Sequence, residues 1–237
     1  MEKRSIDFVP GSVEWADFDP TATACAMALL DLSDLLPSEA LAKLFDRYLD
    51  GLRRRWAGEV DWNNYGAYEI RIVGAMVGSG GARQPASMLA RFLEERRPPA
   101  WNQWPEITWR NPRSPGHLGD LPHSWIGAEF ILSALGLFAY ERSRDASLVL
   151  AAGVPHEWLS GDGVAIRNLP VPHGELSFSL RRREADALAF ALDASFPLPA
   201  GGVIFRPPLT GRIIQVDGAG DGVRFTDGST STEHVWR

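Results

Sequence analysis

The residues best suited to chemistry lie in one long segment that is rich in indole side chains. Residues 98–112 include three tryptophans, a pair of adjacent amides and one carboxylate: Trp101, Trp104, Trp109, Asn102, Gln103 and Glu106. Indole faces stack on the apolar faces of sugar rings, while amides and carboxylates bond to the hydroxyl groups. The segment therefore predicts a carbohydrate subsite, with Glu106 as a candidate catalytic carboxylate.

A structural interpretation accounts for the same composition. The tryptophans would close the end of a helical bundle, and Glu106 would form an ion pair with Arg110 or Arg113. The connection that contains them extends to Leu121, which makes it far longer than the roughly 2–8 residues usual between helices, and such loops often carry function. Composition by itself leaves both interpretations open.

A second group of candidate ligand residues precedes the third predicted helix. It contains Asp61, Trp62, Asn63, Asn64 and Tyr65, followed by Tyr68 and Glu69. Helix N-termini expose unpaired N–H donors and favour oxygen-rich ligands, so Asn64 and Tyr65 are candidate sugar contacts. In the alternative, Asn63 or Asn64 caps the helix and Glu69 pairs with a buried arginine, which is preferred for Glu69.

A further aromatic candidate lies ahead of the first helix. Trp15 is followed by Asp17 and Asp19. Asp19 precedes a proline and is predicted to cap the helix, because a short carboxylate side chain accepts hydrogen bonds from the first turn. Trp15 is therefore the ligand-contact candidate of this segment, with Asp17 beside it.

Helical periodicity covers residues 1–145, and five helices are predicted to position these groups. They extend from Pro20 to about Leu32, from Pro37 to about Arg55, from about Tyr65 to Val77, from about Pro85 to Arg96, and from Pro122 to about Tyr140. Glycine and proline residues mark their ends. The fifth is apolar nearly all round, so we expect it to be enclosed by other helices.

Residues 146–237 alternate with a period of two instead. Leu176, Phe178 and Leu180 alternate with polar residues, as do the apolar residues of 188–192, and turn pairs such as Asp217–Gly218 separate the runs. About seven antiparallel strands in a small β-sandwich are predicted. The fold class is α+β, with a helical domain (1–145) followed by a β-sandwich domain (146–237).

Composition excludes several functions. The net charge of −6 provides no positive field for nucleic acid. The longest apolar run, from Ile126 to Tyr140, is too short to cross a membrane and contains Glu129. Cys25 is the single cysteine, and His117 and His123 have no zinc-ligand spacing, so neither a metal nor a cofactor is expected. No signal peptide is recognisable, which leaves a cytoplasmic or a periplasmic location open.

Two stretches of the sequence resemble a known family. Residues 104–109 read Trp-Pro-Glu-Ile-Thr-Trp, and residues 122–131 read Pro-His-Ser-Trp-Ile-Gly-Ala-Glu-Phe-Ile. They resemble the loop and the last barrel helix of glucoamylase-like glycoside hydrolases, which are six-hairpin (α/α) toroids. Residues 19–24 and 63–69 also look like inner-helix segments of bacterial toroid proteins that end in a small β-sandwich.

This resemblance implies that Glu106 is the general base that activates water in an inverting hydrolysis. Such a reaction also needs a protonated carboxyl group about 6.5–9.5 Å from the base, which the family supplies from a loop several helices upstream. Because only about five helices of the toroid are present, we expect the chain to be the C-terminal portion of a larger enzyme and to be inactive by itself. The missing helices would leave an apolar flank through which the chain could self-associate.

The leading hypothesis is therefore part of a glycoside hydrolase that acts on oligosaccharides or polysaccharides. The alternative is a non-catalytic carbohydrate-binding or scaffolding protein that uses the same aromatic residues. A phosphorolytic enzyme, in which phosphate replaces the base, is disfavoured by the presence of Glu106.

Overall fold

The computed structural model describes residues 4–79, 85–184, 187–194, 196–206 and 234–236. Over these residues the chain has a mixed α+β fold with five α-helices and three small open sheets. The helices are α1 (Pro20–Ala28), α2 (Ser38–Trp56), α3 (Ile70–Gly78), α4 (Pro85–Glu94) and α5 (Ser124–Gly136). Within the described residues, no helix is both long enough and apolar enough to span a bilayer. The predicted fold class is thus confirmed at the level of α+β.

The strands divide into three groups. β1 (Asn64–Gly66) pairs with β2 (Ile107–Trp109) in a two-stranded ladder within the helical part of the chain. The remaining strands are β3 (Ala139–Arg142), β4 (Ser147–Leu150), β5 (Val164–Val171), β6 (Gly174–Glu184), β7 (Ala187–Ala194), β8 (Val203–Phe205) and β9 (His234–Trp236). The predicted turn at Asp217–Gly218 lies outside the described residues.

Two compact units make up the chain, Met1–Ala134 and Leu135–Arg237. In the first, α3 packs against α1 and α4. In the second, one sheet has the order β3-β4-β8-β9 and the other the order β5-β6-β7. The domain division at residue 145 stays a prediction from the change in periodicity.

The starts of α1 and α2 agree with the prediction, whereas the end of α1 does not. The Asp19 carboxylate caps α1 by accepting hydrogen bonds from the Thr21 and Ala22 backbone N–H groups. The helix ends at Ala28 rather than near Leu32, and Asp31 has a positive φ of 50° that a right-handed helix does not accommodate. All six predicted apolar positions of α2 are buried: Leu41, Leu44, Phe45, Tyr48, Leu49 and Leu52.

The prediction of a helix from Tyr65 to Val77 is wrong at its start. Tyr65 lies in β1, a short 3₁₀ turn covers Ala67–Glu69, and α3 begins only at Ile70. The reason is tertiary, because β1 forms only by pairing with β2, a segment far along the chain. The start of α3 therefore offers no exposed N-terminus at Asn64.

The fifth helix also differs from its prediction. Helix α5 ends at Gly136, because residues 139–142 do not continue the helix but form β3, which pairs with β4. It is not enclosed by other helices, because Trp125, Ile131 and Leu132 are exposed. Its buried stripe is partly polar and consists of Ile126, Glu129 and Ser133, which recur at helical spacing.

The second unit resembles a β-sandwich in that its two sheets share one hydrophobic core. Leu148 and Phe205 from one sheet pack in the same cluster as Leu176, Phe178 and Leu180 from the other. The predicted alternation in β6 is therefore confirmed. The prediction of wholly antiparallel strands is wrong, because β4 and β8 run parallel.

Candidate functional site

The β1–β2 ladder joins the two segments that carry the predicted site residues. Asn64 lies opposite Trp109, and Tyr65 lies opposite Thr108. The ladder is extended at both ends, where the Ala67 N–H donates to the Glu106 carbonyl (2.9 Å) and the Arg110 N–H donates to the Asn63 carbonyl (2.8 Å). The side chains from both segments therefore form two neighbouring groups.

The first group surrounds an open cleft of about 440 Å³, called here the indole cleft. Two indoles, two amides, a carboxylate, a guanidinium and a hydroxyl line it: Trp62, Trp109, Asn63, Asn111, Asp61, Arg110 and Ser114. Flat aromatic faces beside hydrogen-bonding groups of both polarities are the composition that a sugar ring requires. The cleft is thus a candidate carbohydrate site.

Both indoles of the cleft are held in place. The Trp109 Nε1–H donates to the His117 carbonyl (2.9 Å), and the ring lies so close to Gly116 that a Cβ there would be 2.2 Å from it. The Trp62 ring packs against Tyr65 with its centroid 5.8 Å away, and the Arg55 guanidinium lies 5.8 Å from the Trp62 ring. Fixed aromatic rings lose little conformational entropy when a ligand binds.

The second group, called here the Glu106 cluster, consists of Glu106, Tyr68, His123 and Asp120. The Tyr68 hydroxyl lies 3.5 Å from Glu106 Oε1 and 3.1 Å from His123 Nε2. On the other side of the imidazole, His123 Nδ1 is 3.7 Å from Asp120 Oδ2. Because Tyr68 has one hydroxyl proton, it can donate to the imidazole or to the carboxylate, but not to both.

Burial raises the pKa of Tyr68, and the negative charge of Glu106 raises it further, while Arg71 lowers it. The hydroxyl therefore keeps its proton at neutral pH and remains a donor within the Glu106 cluster.

Beneath Tyr68 lies a buried ion pair between α3 and α5. Arg71 Nη2 is 2.7 Å from Glu129 Oε1, and the Trp125 Nε1–H donates to the same oxygen (2.9 Å). The Arg71 guanidinium also lies 4.7 Å from the centre of the Tyr68 ring. These contacts fix the aromatic rings beside the Glu106 cluster.

The loop after β2 folds back over Glu106. The Glu106 N–H donates to the Asp120 carbonyl (3.1 Å), and the Ile107 N–H donates to the Leu118 carbonyl (2.9 Å). Gly119 has a φ of +65°, and a Cβ there would lie 2.2 Å from Glu106 Oε2. Glycine is therefore required for the loop to approach the carboxylate.

The ion pairing proposed as an alternative for Glu106 is wrong for Arg110, which pairs with Asp61 instead. In the described part of the chain, none of the ion pairs includes Glu106. The carboxylate is partly exposed. The ion pair predicted for Glu69 is confirmed, with the half-buried Arg55 donating to both of its carboxylate oxygens at 3.0 and 2.6 Å. The predicted cap by Asn63 or Asn64 is wrong, because α3 begins at Ile70 without a side-chain cap.

The remaining indoles predicted as sugar contacts are dispersed. Trp104 is buried, with its Nε1–H donating to the Phe92 carbonyl (2.8 Å) and its ring packed on Phe130. Trp101 is exposed in a 3₁₀ turn, and Trp15 is 83% exposed. None of the three lines the indole cleft.

The predicted polar contacts also separate. Tyr65 is buried, and its hydroxyl donates to Glu95. Asn102, in a left-handed conformation, accepts a hydrogen bond from Arg96, and Gln103 is half-buried near Gly127. Asn64 is exposed on β1. Of the candidate site residues predicted from the sequence, Trp109 lines the cleft and Glu106 lies in its own cluster.

Several site residues had no clear signal in the sequence. Arg110, Asn111 and Ser114 line the cleft, although the sequence suggested only a structural role for Arg110. Tyr68 and His123 reach Glu106 because β1 pairs with β2 and because the His123 N–H donates to the Trp104 carbonyl (3.1 Å). The sequence does not reveal that β1 pairs with β2, and this pairing is what brings these residues together.

No protein-family model matches the chain, and no curated protein or solved structure matches it significantly. Among the described residues, no group of three or more histidine, cysteine, aspartate or glutamate side chains could hold a metal ion.

Proposed function

We propose that this protein is carbohydrate-active and binds an oligosaccharide or polysaccharide in the indole cleft. The observation that carries the proposal is the pair of fixed indoles, Trp62 and Trp109, in a cleft that also presents amide, carboxylate and guanidinium groups. The fold that we propose together with this function is part of a six-hairpin (α/α) toroid of the glucoamylase-like type. In that fold α1 to α5 would be successive barrel helices.

Calorimetric titration with neutral hexasaccharides of glucose, mannose and xylose tests the binding. We expect Trp109→Ala and Trp62→Ala each to weaken binding about three- to tenfold, because each removes a stacking surface. Trp15→Ala is the matched control, since this exposed indole lies outside the cleft. Equal affinity in all four proteins would reject the cleft as the site.

Glu106, which lies in the Glu106 cluster and does not line the indole cleft, is proposed as the general base of an inverting hydrolysis, so a sugar chain held in the cleft would have to extend to this cluster. It would accept a proton from water while the water oxygen bonds to the anomeric carbon, and the leaving-group oxygen would depart with a proton from the general acid that such a reaction also requires. Its partial exposure and the absence of an arginine partner among the described ion pairs support this role, since an ion pair would lower its basicity.

Glycosyl fluorides test the base separately from the acid, because fluoride leaves without needing a proton donor. The products are the free sugar with the opposite anomeric configuration, fluoride and a proton. We expect Glu106→Gln to slow fluoride release roughly 10²- to 10⁴-fold, measured with the anomer of the glycosyl fluoride that the wild-type protein hydrolyses. The affinity for oligosaccharides should remain unchanged. Glu94→Gln, on the exposed face of α4, is the control.

The alternative is a non-catalytic carbohydrate-binding or scaffolding protein. Binding of a hexasaccharide in the cleft, together with no release of fluoride from either anomer of any glycosyl fluoride tested, would favour it. In that case Glu106 would have a structural role at the turn before β2.

A further inference from the structure

The wall of the indole cleft contains an ion pair that the proposed function has not used. Arg110 Nη1 lies 2.5 Å from Asp61 Oδ1, and both side chains are exposed. The pair forms because the Arg110 N–H donates to the Asn63 carbonyl at the end of the β1–β2 ladder. Asp61 and Arg110 are the two charged residues among those that line the cleft.

Each member of the pair has hydrogen-bonding capacity left over. Asp61 Oδ1 also accepts from the Trp62 N–H (3.1 Å), while Oδ2 has no protein partner among the described residues. The Arg110 guanidinium uses Nη1 and keeps the N–H groups of Nε and Nη2 for a ligand. The carboxylate can accept a hydrogen bond from one sugar hydroxyl, while the guanidinium beside it donates a hydrogen bond to the neighbouring hydroxyl. Adjacent hydroxyls of a sugar ring present this combination.

Asp61 and Arg110 carry opposite charges that cancel. This cancellation affects how well the cleft can bind a charged sugar. A ligand carboxylate would meet Asp61 next to Arg110, so no net attraction would offset the loss of its hydration. A neutral ring meets no such cost. We propose that the indole cleft selects neutral sugars with vicinal hydroxyls and rejects uronates, and that Asp61 is the residue that sets this specificity. The inference rests on the proposed binding of carbohydrate.

The experiment compares matched ligands that differ only in charge. Cellohexaose, maltohexaose and mannohexaose are each titrated against the C6-oxidised uronate of the same chain by calorimetry. We expect the wild-type protein to bind the neutral member of a pair more tightly. In Asp61→Asn the isosteric amide leaves Arg110 uncompensated, so we expect the uronate to gain about three- to tenfold in affinity and the neutral sugar to lose affinity.

Two variants serve as controls. Asp50→Asn removes one charge from an exposed position on α2, away from the cleft, and should change neither affinity. Trp109→Ala should weaken the binding of both ligands, which would show that they bind in the cleft.

Three results would contradict the proposed specificity. A wild-type preference for a uronate, or an Asp61→Asn variant that gains no affinity for it, would overturn the specificity and leave the proposed function standing. Absence of binding to all six ligands would overturn both.

Discussion

At the scale of single residues, the strongest constraint is the buried pair of Arg71 and Glu129. Their side chains are 9% and 3% exposed, and Trp125 donates to the same carboxylate oxygen that Arg71 approaches. The pair occupies positions on α3 and α5 where apolar residues would be expected. We infer that the pair sets how α5 faces α3 rather than adding much net stability.

We predict that replacing one member of this pair lowers the free energy of unfolding more than replacing both members. Glu129→Leu leaves a buried guanidinium without its counter-charge and should lower the free energy of unfolding by about 3–5 kcal/mol. The double variant Arg71→Leu with Glu129→Leu should lose less than the single one. Urea unfolding followed by circular dichroism measures both, and a larger loss in the double variant would contradict this account.

A second prediction concerns alkaline pH and Tyr48. Burial raises the pKa of Tyr48 well above its ordinary value of 10.0, and the negative charge of Glu69, which its hydroxyl contacts at 2.7 Å, adds to the effect. The folded protein therefore holds this proton more tightly than the unfolded chain. The corresponding stability is complete below pH 10 and is lost as the pH rises toward the folded-state pKa.

The measurement is the free energy of unfolding at pH 8 and at pH 11. We expect wild type to lose more stability between these two values than Tyr48→Phe, which has no phenolic proton to release. Tyr65, whose pKa burial also raises, accounts for part of the remaining loss. A steeper pH dependence in Tyr48→Phe than in wild type would be inconsistent with this assignment.

At the scale of elements, the β1–β2 ladder and the loop that follows it position the candidate site. The loop requires glycine where it meets Glu106, because the φ of Gly119 is +65° and the space for a side chain is already filled. A short ladder of this kind gains its stability from side chains packed against it, such as Phe92 against Tyr65, rather than from its own few hydrogen bonds.

We predict opposite effects for two glycine substitutions. Gly119→Ala should destabilise the fold by at least about 1 kcal/mol and should displace the Glu106 carboxylate, because the new Cβ meets both the carboxylate and an unfavourable backbone conformation. Gly51→Ala is the control, since it lies within α2 with open space around it and should stabilise by about 0.5–1 kcal/mol. Thermal unfolding of both variants tests the contrast. Equal shifts in Tm would argue against the close approach at Gly119.

At the scale of the whole molecule, two groups of exposed apolar side chains lie close together along the described part of the chain. One is the segment after α1, where Leu29, Leu30, Leu32 and Leu35 are exposed. The other is the outer face of α5, with Trp125, Ile131 and Leu132. Contiguous exposed apolar side chains often mark surfaces through which proteins associate.

We therefore predict that the purified chain self-associates. Sedimentation velocity should show a sedimentation coefficient that rises with concentration, and the double variant Ile131→Gln with Leu132→Gln should shift the distribution toward monomer. Both side chains are more than half exposed, so the substitutions should leave the fold intact. A wild-type chain that remains monomeric at all concentrations would refute the prediction.

Local interactions made several features predictable from the sequence. The apolar stripe of α2, the capping carboxylate of Asp19 and the alternation of β6 all depend on residues close together along the chain. Each follows from the period of the element or from hydrogen bonds within one helical turn. The presence of a carboxylate, amides and indoles in two segments was likewise visible in the sequence.

Only the tertiary structure decided which of those side chains meet. The pairing of Asn64 with Trp109 turned a predicted helix start into a strand, gathered Trp62, Trp109 and Asp61 around one cleft, and left Tyr65 buried. Trp104 looked equivalent to Trp109 in the sequence, yet it is buried against Phe130. Composition cannot distinguish two such indoles, because burial is set by long-range packing, whereas periodicity and capping are set by neighbours in the chain.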